Sequence, residues 1–448
     1  MSAGAQSDHG PVDPARPPVV ASSVPPRPTG LVLSPFRALR YADADLAAVT
    51  SPPYDVIDAD ELTALEAAGA QNVVRLILPR QEPGDGQDRY ARAAAALVAW
   101  REQGVLVPDA EPALYVYEQA APDGHRQRGL LGALALTPPE DGIVLPHENT
   151  MAGPVSDRLA LYTAVDADLE PIFLVYDGGG AASRVVAEAD REEPLVDVQL
   201  PDGLRHRLWA VCGADVLADV AADLAVRVAV IADGHHRYAT YLQRQATRHE
   251  AGNGPGPWDA GLTFLVDAQA FGPEVHPIHR VVPGQPAADL AERAAAGGRV
   301  HDLDGNDLPE ALVALAAAGS SGPAFLLASG DGGTLRLLTD LDLDRLDKAL
   351  PAERSDAWRS LDVSVLHAYV VTDLWGLEDD VATVTYEHDV DAALAAAART
   401  DGTAVLLNPT PVAGVTAVAA GGERMPRKST LFTPKPRTGL VLRDHRDA

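Results

Sequence analysis

The 448-residue chain has one cysteine, Cys212, which excludes a disulfide framework and any multi-cysteine zinc or iron–sulfur site. Positive charge is also scarce. Lys+Arg number 36 against 64 Asp+Glu, a formal net charge of −28. A surface this acidic argues against nucleic acid and anionic membranes as partners, since each needs a basic face. It leaves room for a small basic pocket that takes a phosphorylated small molecule. Lysine is the rarest cation: Lys348, Lys428 and Lys435 are the only ones, and two of them share one short stretch. No run approaches the ~18 uninterrupted apolar residues of a membrane span. The first residues lack the basic start and apolar segment of a secretory signal, so the cytoplasm is the expected compartment. Residues 1–28 are rich in Pro, Ser and Ala and read as a disordered tail, unable to offset its ordering entropy by burial.

What remains has the composition of an ordinary globule, 46% hydrophobic and 22% charged. Strand patterns at 31–41, 72–79, 113–117, 129–136, 172–176, 262–266, 275–282 and 404–407 are interleaved with helix patterns at 88–103, 287–296 and 363–375. The most regular stretch runs strand (206–211), helix (214–224), strand (226–231), a tight turn at Asp233-Gly234, and helix (235–245). In its first helix Val216, Val220 and Leu224 recur every four residues opposite Asp215, Asp219 and Asp223. The expected fold class is mixed α/β, with this unit embedded in a larger mixed sheet. The expected division is an N-terminal α/β region (29–200), the central unit (201–283), an acidic variable insert (284–335) and a C-terminal α/β region (336–448) carrying a basic motif. Cys212, after Trp209, is expected to pack as a small buried group, and His279 to be a satisfied inner histidine.

The sharpest motif is Asp233-Gly234-His235-His236-Arg237. Glycine permits close backbone approach, and the amides of a helix start attract anions. Arg237 can fork onto phosphate oxygens, and the imidazoles add donors of tunable charge. The competing reading is a surface helix capped by Asp233. A second motif, Arg424-Met425-Pro426-Arg427-Lys428-Ser429-Thr430 with Lys435, is locally basic and offers phosphate donors, although no Gly-x-x-x-x-Gly-Lys-Ser/Thr loop is present. A third, His147-Glu148 with Asp157-Arg158, supplies a candidate general base and a candidate magnesium ligand, or an ordinary ion-pair loop; Ser156 or Asp157 is the expected cap of the helix that follows. Tyr54, Asp55 and Arg75 are placed around the same pocket, a structural strut being the other reading.

Pro35-Phe36-Arg37, Pro52-Pro53-Tyr54-Asp55, His147-Glu148 with Thr150, Asp157-Arg158, Ala232 to Tyr238, and Arg424-Met425-Pro426 with Lys428-Ser429-Thr430 occur in this order. Together they resemble the bacterial and archaeal family called domain of unknown function 1015, over about residues 31–442. Residues 204–245 are also similar to the ParB/sulfiredoxin superfamily, whose archaeal free-serine kinases bind nucleotide at the equivalent turn. That resemblance implies nucleotide phosphates on Gly234, His235, His236 and Arg237. His235 stands where sulfiredoxins carry cysteine, which counts against sulfinic acid reduction.

The expected activity is a nucleotide-dependent phosphotransferase, or a phosphatase, acting on a small hydroxylated metabolite; serine or phosphoserine is what the resemblance implies. ATP or ADP and Mg²⁺ are the expected cosubstrate and ion, with no resident metal site. Glu148, Asp157 and His147 are the expected catalytic groups. Asp233, Gly234, His235, His236, Arg237, Arg158, Arg424, Lys428, Ser429, Thr430 and Lys435 are the expected phosphate and nucleotide contacts. A non-catalytic nucleotide- or phosphometabolite-binding regulator is the alternative.

Overall fold

A computed structural model describes residues 28–81, 88–303, 307–330 and 332–447, so the tail expected at 1–28 lies, but for its last residue, outside the described residues. Nine strands form the main sheet: β1 (Leu33–Ser34), β2 (Leu114–Ala120), β3 (Arg126–Ala135), β4 (Val144–Leu145), β5 (Ile172–Tyr176), β6 (Val196–Gln199), β7 (Arg205–Val211), β8 (Ala229–Asp233) and β9 (Ala260–Asp267). Their order is β4-β8-β5-β9-β3-β2-β7-β6, with β1 added against β3. The β8–β4 and β9–β5 pairs are parallel; the rest are antiparallel. Successive side chains point to opposite faces of a strand. In β2, Tyr115 and Tyr117 join one core with Phe173 and Phe264, while Leu114 and Val116 join another with Trp209. Both faces of the sheet are therefore covered.

A second, six-stranded sheet contains β10 (His279–Val282), β11 (Arg299–Asp302), β12 (Phe325–Ser329), β13 (Arg336–Thr339), β14 (Thr385–Glu387) and β15 (Thr403–Leu407), in the order β11-β13-β12-β15-β10-β14. The fold is mixed α/β, as expected. The boundary drawn at 200/201 runs through one sheet, because β6 pairs directly with β7. The stretch read as a variable insert supplies β11, β12 and two helices, Ala287–Ala294 and Leu308–Gly319; its Leu290, Ala291 and Phe325 are core residues.

Local differences have local causes. Residues 72–79 hold a helical turn, Val74–Ile77, instead of a strand, because the Asn72 side chain accepts the Val74 amide at 3.0 Å and donates to the Ala48 carbonyl at 2.8 Å. The helix α1 (Ala152–Val165) begins after Met151, so Ser156 and Asp157 lie inside it and cap nothing. The helix α2 (Ala214–Leu224) has the predicted ends, but Val216 is 39% exposed and only Val220 and Leu224 are buried. The pattern at 363–375 becomes a short α-helix, Asp362–Val365, continued as a π-helix over Leu366–Leu374. Cys212 is exposed beyond the end of β7. His279 is buried and accepts the Leu407 amide at 3.3 Å. No helix among the described residues is long and apolar enough to cross a membrane.

Candidate functional site

β8 carries the chain out of the interior. Ala229 and Ile231 face one core, Val230 and Ala232 the other. Its register against β5 shifts between Ile231 and Asp233, the kind of bulge that re-aims a side chain at a strand end. Gly234 then takes φ +95°, and α3 (His235–Glu250) begins with no side-chain cap. The amides of its first turn carry the positive end of a 16-residue helix. They border a cavity of about 370 Å³.

Eleven of the expected site residues line this cavity: Tyr54, Asp55, Glu148, Asp233, Gly234, His235, His236, Arg237, Lys428, Thr430 and Lys435. Several do so in roles other than those expected. Arg237 is 1% exposed. Its Nη2 donates to Asp233 Oδ2 at 2.5 Å and its Nη1 to the Pro171 carbonyl, so two of its three guanidinium nitrogens are bonded inside the protein. A Cβ at Gly234 would stand 3.1 Å from that guanidinium carbon; the glycine makes room for the returning arginine as well as for the turn. Asp233 does not cap the helix. Its second oxygen lies 2.7 Å from Lys435 Nζ, which also reaches Asp55 Oδ2 at 2.9 Å. The result is an alternating chain, Arg237–Asp233–Lys435–Asp55. Burial alone would raise the Asp55 carboxyl, but Lys435 and Arg237 outweigh it and hold the group below the usual carboxylate range.

The paired histidines are acceptors here. His235 Nε2 accepts the His147 amide at 3.3 Å, and His236 Nε2 accepts the Met151 amide at 3.0 Å. Both belong to the loop that carries Glu148. Burial drives His235 far below its ordinary pKa and lowers His236 as well, so both rings are neutral. The same loop is held from the other side by the C-terminal motif. Arg424 donates to the Pro146 carbonyl at 2.7 Å, Met425 N to the His147 carbonyl at 2.9 Å, and the His147 ring meets Thr430 Oγ1 at 3.0 Å. His147 is 1% exposed, and burial lowers its pKa to about 4, which favours the neutral ring. Arg424 positions the loop.

Among the described residues, Glu148 and Lys428 are charged lining groups without an ion pair. Glu148 lines the cavity; burial holds its carboxyl above the ordinary value, Asp233 adding to this against the pull of Lys428 and Lys435. Lys428 makes no ion pair among the described residues and sits at φ +52°, a left-handed conformation uncommon for a residue with a side chain.

The other expected contacts lie elsewhere. Asp157 bonds Tyr90 at 2.7 Å and Arg89 at 2.5 Å, and pairs with Arg158 at 2.6 Å. Arg158 is buried over the Tyr54 ring at 4.4 Å and braces that residue. Arg75 donates to the Glu66 carbonyl at 2.8 Å. Ser429 is 3% exposed and donates to the Pro426 carbonyl at 2.5 Å, so it shapes the motif. Sequence reasoning missed His388, Phe432 and Ile278 of the wall; nothing in their local patterns marks them. It also missed Glu170, fully buried beneath Tyr54, whose amide it accepts at 2.9 Å. A carboxylate two residues before the apolar run of β5 was the available signal.

The model of the family described as "Protein of unknown function (DUF1015)" matches residues 33–364. The chain belongs to this family. The matched span is shorter than the 31–442 expected, and His388, Lys428, Thr430 and Lys435 complete the DUF1015 cavity from beyond it. No curated protein matches the sequence. Among solved structures the chain is similar to SbnI with a C-terminal truncation from Staphylococcus aureus, at 11% identity over 70% of this chain and 87% of that one, TM-score 0.34. A free serine kinase in complex with AMP is similar at 14% identity over 68% and 90%, TM-score 0.32. A conserved hypothetical protein from Pyrococcus furiosus is similar at 14% over 68% and 94%, TM-score 0.30. Similarity at this level carries no argument about chemistry. Among the described residues no group of three His, Cys, Asp or Glu side chains could hold a metal ion.

Proposed function

We propose that the cavity binds a phosphorylated small molecule and transfers its phosphoryl group, as a nucleotide-dependent phosphotransferase or, with water as the acceptor, a phosphatase. One observation carries this reading. The uncapped start of α3, the ammonium of Lys428, which makes no ion pair among the described residues, and the raised carboxyl of Glu148 share a single cavity. Phosphoryl transfer needs positioning and charge stabilisation more than covalent help. The α3 amides and Lys428 would hold the phosphate oxygens, at the turn that resembles the ParB/sulfiredoxin signature. Glu148, its pKa nearer to neutrality than a free carboxylate, would take the proton of the attacking hydroxyl. Arg237, His235 and His236 act as positioning residues. The donor proposed is ATP or ADP. Mg²⁺ would arrive with its phosphates, since such ions keep several waters and need only one or two carboxylates; Glu148 is the lining carboxylate that makes no ion pair among the described residues. A small hydroxylated metabolite, serine by the superfamily resemblance, is the proposed acceptor; in the phosphatase variant phosphoserine is the substrate, water attacks in place of the hydroxyl, and serine leaves.

A second reading, a non-catalytic nucleotide- or phosphometabolite-binding regulator, is favoured by the commitment of Arg237 and both histidines to internal bonds. The two separate by experiment. A melting screen against nucleotides and phosphorylated metabolites, with and without Mg²⁺, finds a ligand that binds the folded state. Glu148→Gln then keeps that shift and loses turnover if the protein is a transferase. A wild type that binds but never turns over is a regulator, and a screen with no shift removes both.

A further inference from the structure

Beside the main cavity lies a second hollow of about 240 Å³, walled by Pro53, Leu204 and Pro434. The two share Val56, Leu431 and Lys435. Lys435 ties them together. Its Nζ bonds Asp55 and Asp233 in the main cavity, and the same residue lines the hollow, so the two lobes lie within the length of one lysine side chain. Val56 stands on the ridge between them and is 47% exposed, an apolar group left open where a ligand crossing from one lobe to the other would cover it. The prolines flanking the hollow lack backbone donors and fix their own φ, which gives flat, rigid, apolar walls. At its polar edge Asp202 accepts from His206 at 3.0 Å and lies 3.5 Å from Arg437.

A ligand that uses both lobes has an anionic end and, about one sugar ring away, a planar and weakly polar end. We infer that the Pro53–Leu204–Pro434 hollow seats the nucleobase of a nucleoside phosphate whose phosphates occupy the main cavity. The inference rests on the phosphate reading above and adds to it the site of the base. It assigns selectivity to a surface turn, since Leu204 lies between β6 and β7 and outside the phosphate-holding elements. The hollow would leave inorganic pyrophosphate indifferent and would favour a nucleotide over it.

The test is calorimetric titration of the full chain with ADP and, separately, with pyrophosphate. The variants are Leu204→Trp, which fills the hollow from an exposed turn, and Leu204→Ala, which removes its wall. Leu204→Trp is expected to weaken ADP at least tenfold and Leu204→Ala several-fold, both with pyrophosphate affinity unchanged. Retained pyrophosphate binding also reports that each variant is folded. Should Leu204→Trp lose both ligands, Leu204→Ala decides. If ADP affinity is unaltered in a variant that still binds pyrophosphate, the base site is wrong and the phosphate site stands. If wild type binds neither ligand, the phosphate reading fails and this inference with it.

Discussion

Replacing Arg237 by methionine distinguishes an internal strut from a ligand clamp. The guanidinium is 1% exposed, 2.5 Å from Asp233 and also bonded to the Pro171 carbonyl. Removing one partner of a buried ion pair costs about 3–5 kcal/mol, because the other charge is stranded. An unpaired buried carbonyl adds about 1 kcal/mol. Asp233 keeps Lys435 at 2.7 Å, which offsets part of the loss, so about 3–4 kcal/mol is expected. Urea unfolding followed by the fluorescence of the five tryptophans measures it in wild type, Arg237→Met, Asp233→Asn and the double variant. The double variant should be more stable than the sum of the singles implies, by about 0.5–3 kcal/mol of coupling. An Arg237→Met protein that unfolds with wild type yet fails to bind its ligand would refute the strut and restore the clamp.

Glu148→Gln should flatten the acid limb of any turnover profile, which in wild type lies above the ordinary carboxylate range because burial raises this group. A carboxyl whose folded pKa is raised costs stability once pH exceeds its unfolded value, so the same variant should melt higher than wild type at pH 7 and equally at acid pH. Lys428→Gly should gain about 1 kcal/mol in unfolding, since it relieves a left-handed conformation at φ +52°, while losing phosphate affinity. His147 is buried with its pKa depressed to about 4, so its contribution is complete above its unfolded value near 6.5 and is lost as pH falls from 6.5 towards 4. The loss is about 3 kcal/mol, and unfolding free energies taken across that window should be correspondingly flatter in His147→Gln.

Much of the site could be found from the sequence, because a strand, a glycine and a helix start leave strong local marks: Asp233 to Arg237 meet Lys428 and Thr430 in one cavity. What each side chain does there could not be read. Whether Arg237 reaches out to a ligand or back to Asp233 depends on the Pro171 carbonyl and Glu170, which come from another part of the chain. The histidines look like donors in isolation and become acceptors only because the 147–151 loop presents its amides to them. Asp157 and Arg158 fail for a related reason. Their helix starts earlier than the motif suggests, which turns both towards Arg89, Tyr90 and the Ile77 carbonyl. In the fold, the alanine-rich 284–335 stretch reads as linker because its small residues lack a strong apolar signature, yet alanines at helix positions pack closely on a sheet.

The most direct measurement is a crystal structure of the full chain grown with ADP. The account predicts phosphate oxygens within hydrogen-bond distance of the α3 amides at His236 and Arg237 and of Lys428 Nζ, with Arg237 still bonded to Asp233. Phosphates bound elsewhere, or an Arg237 swung out to meet them, would contradict it.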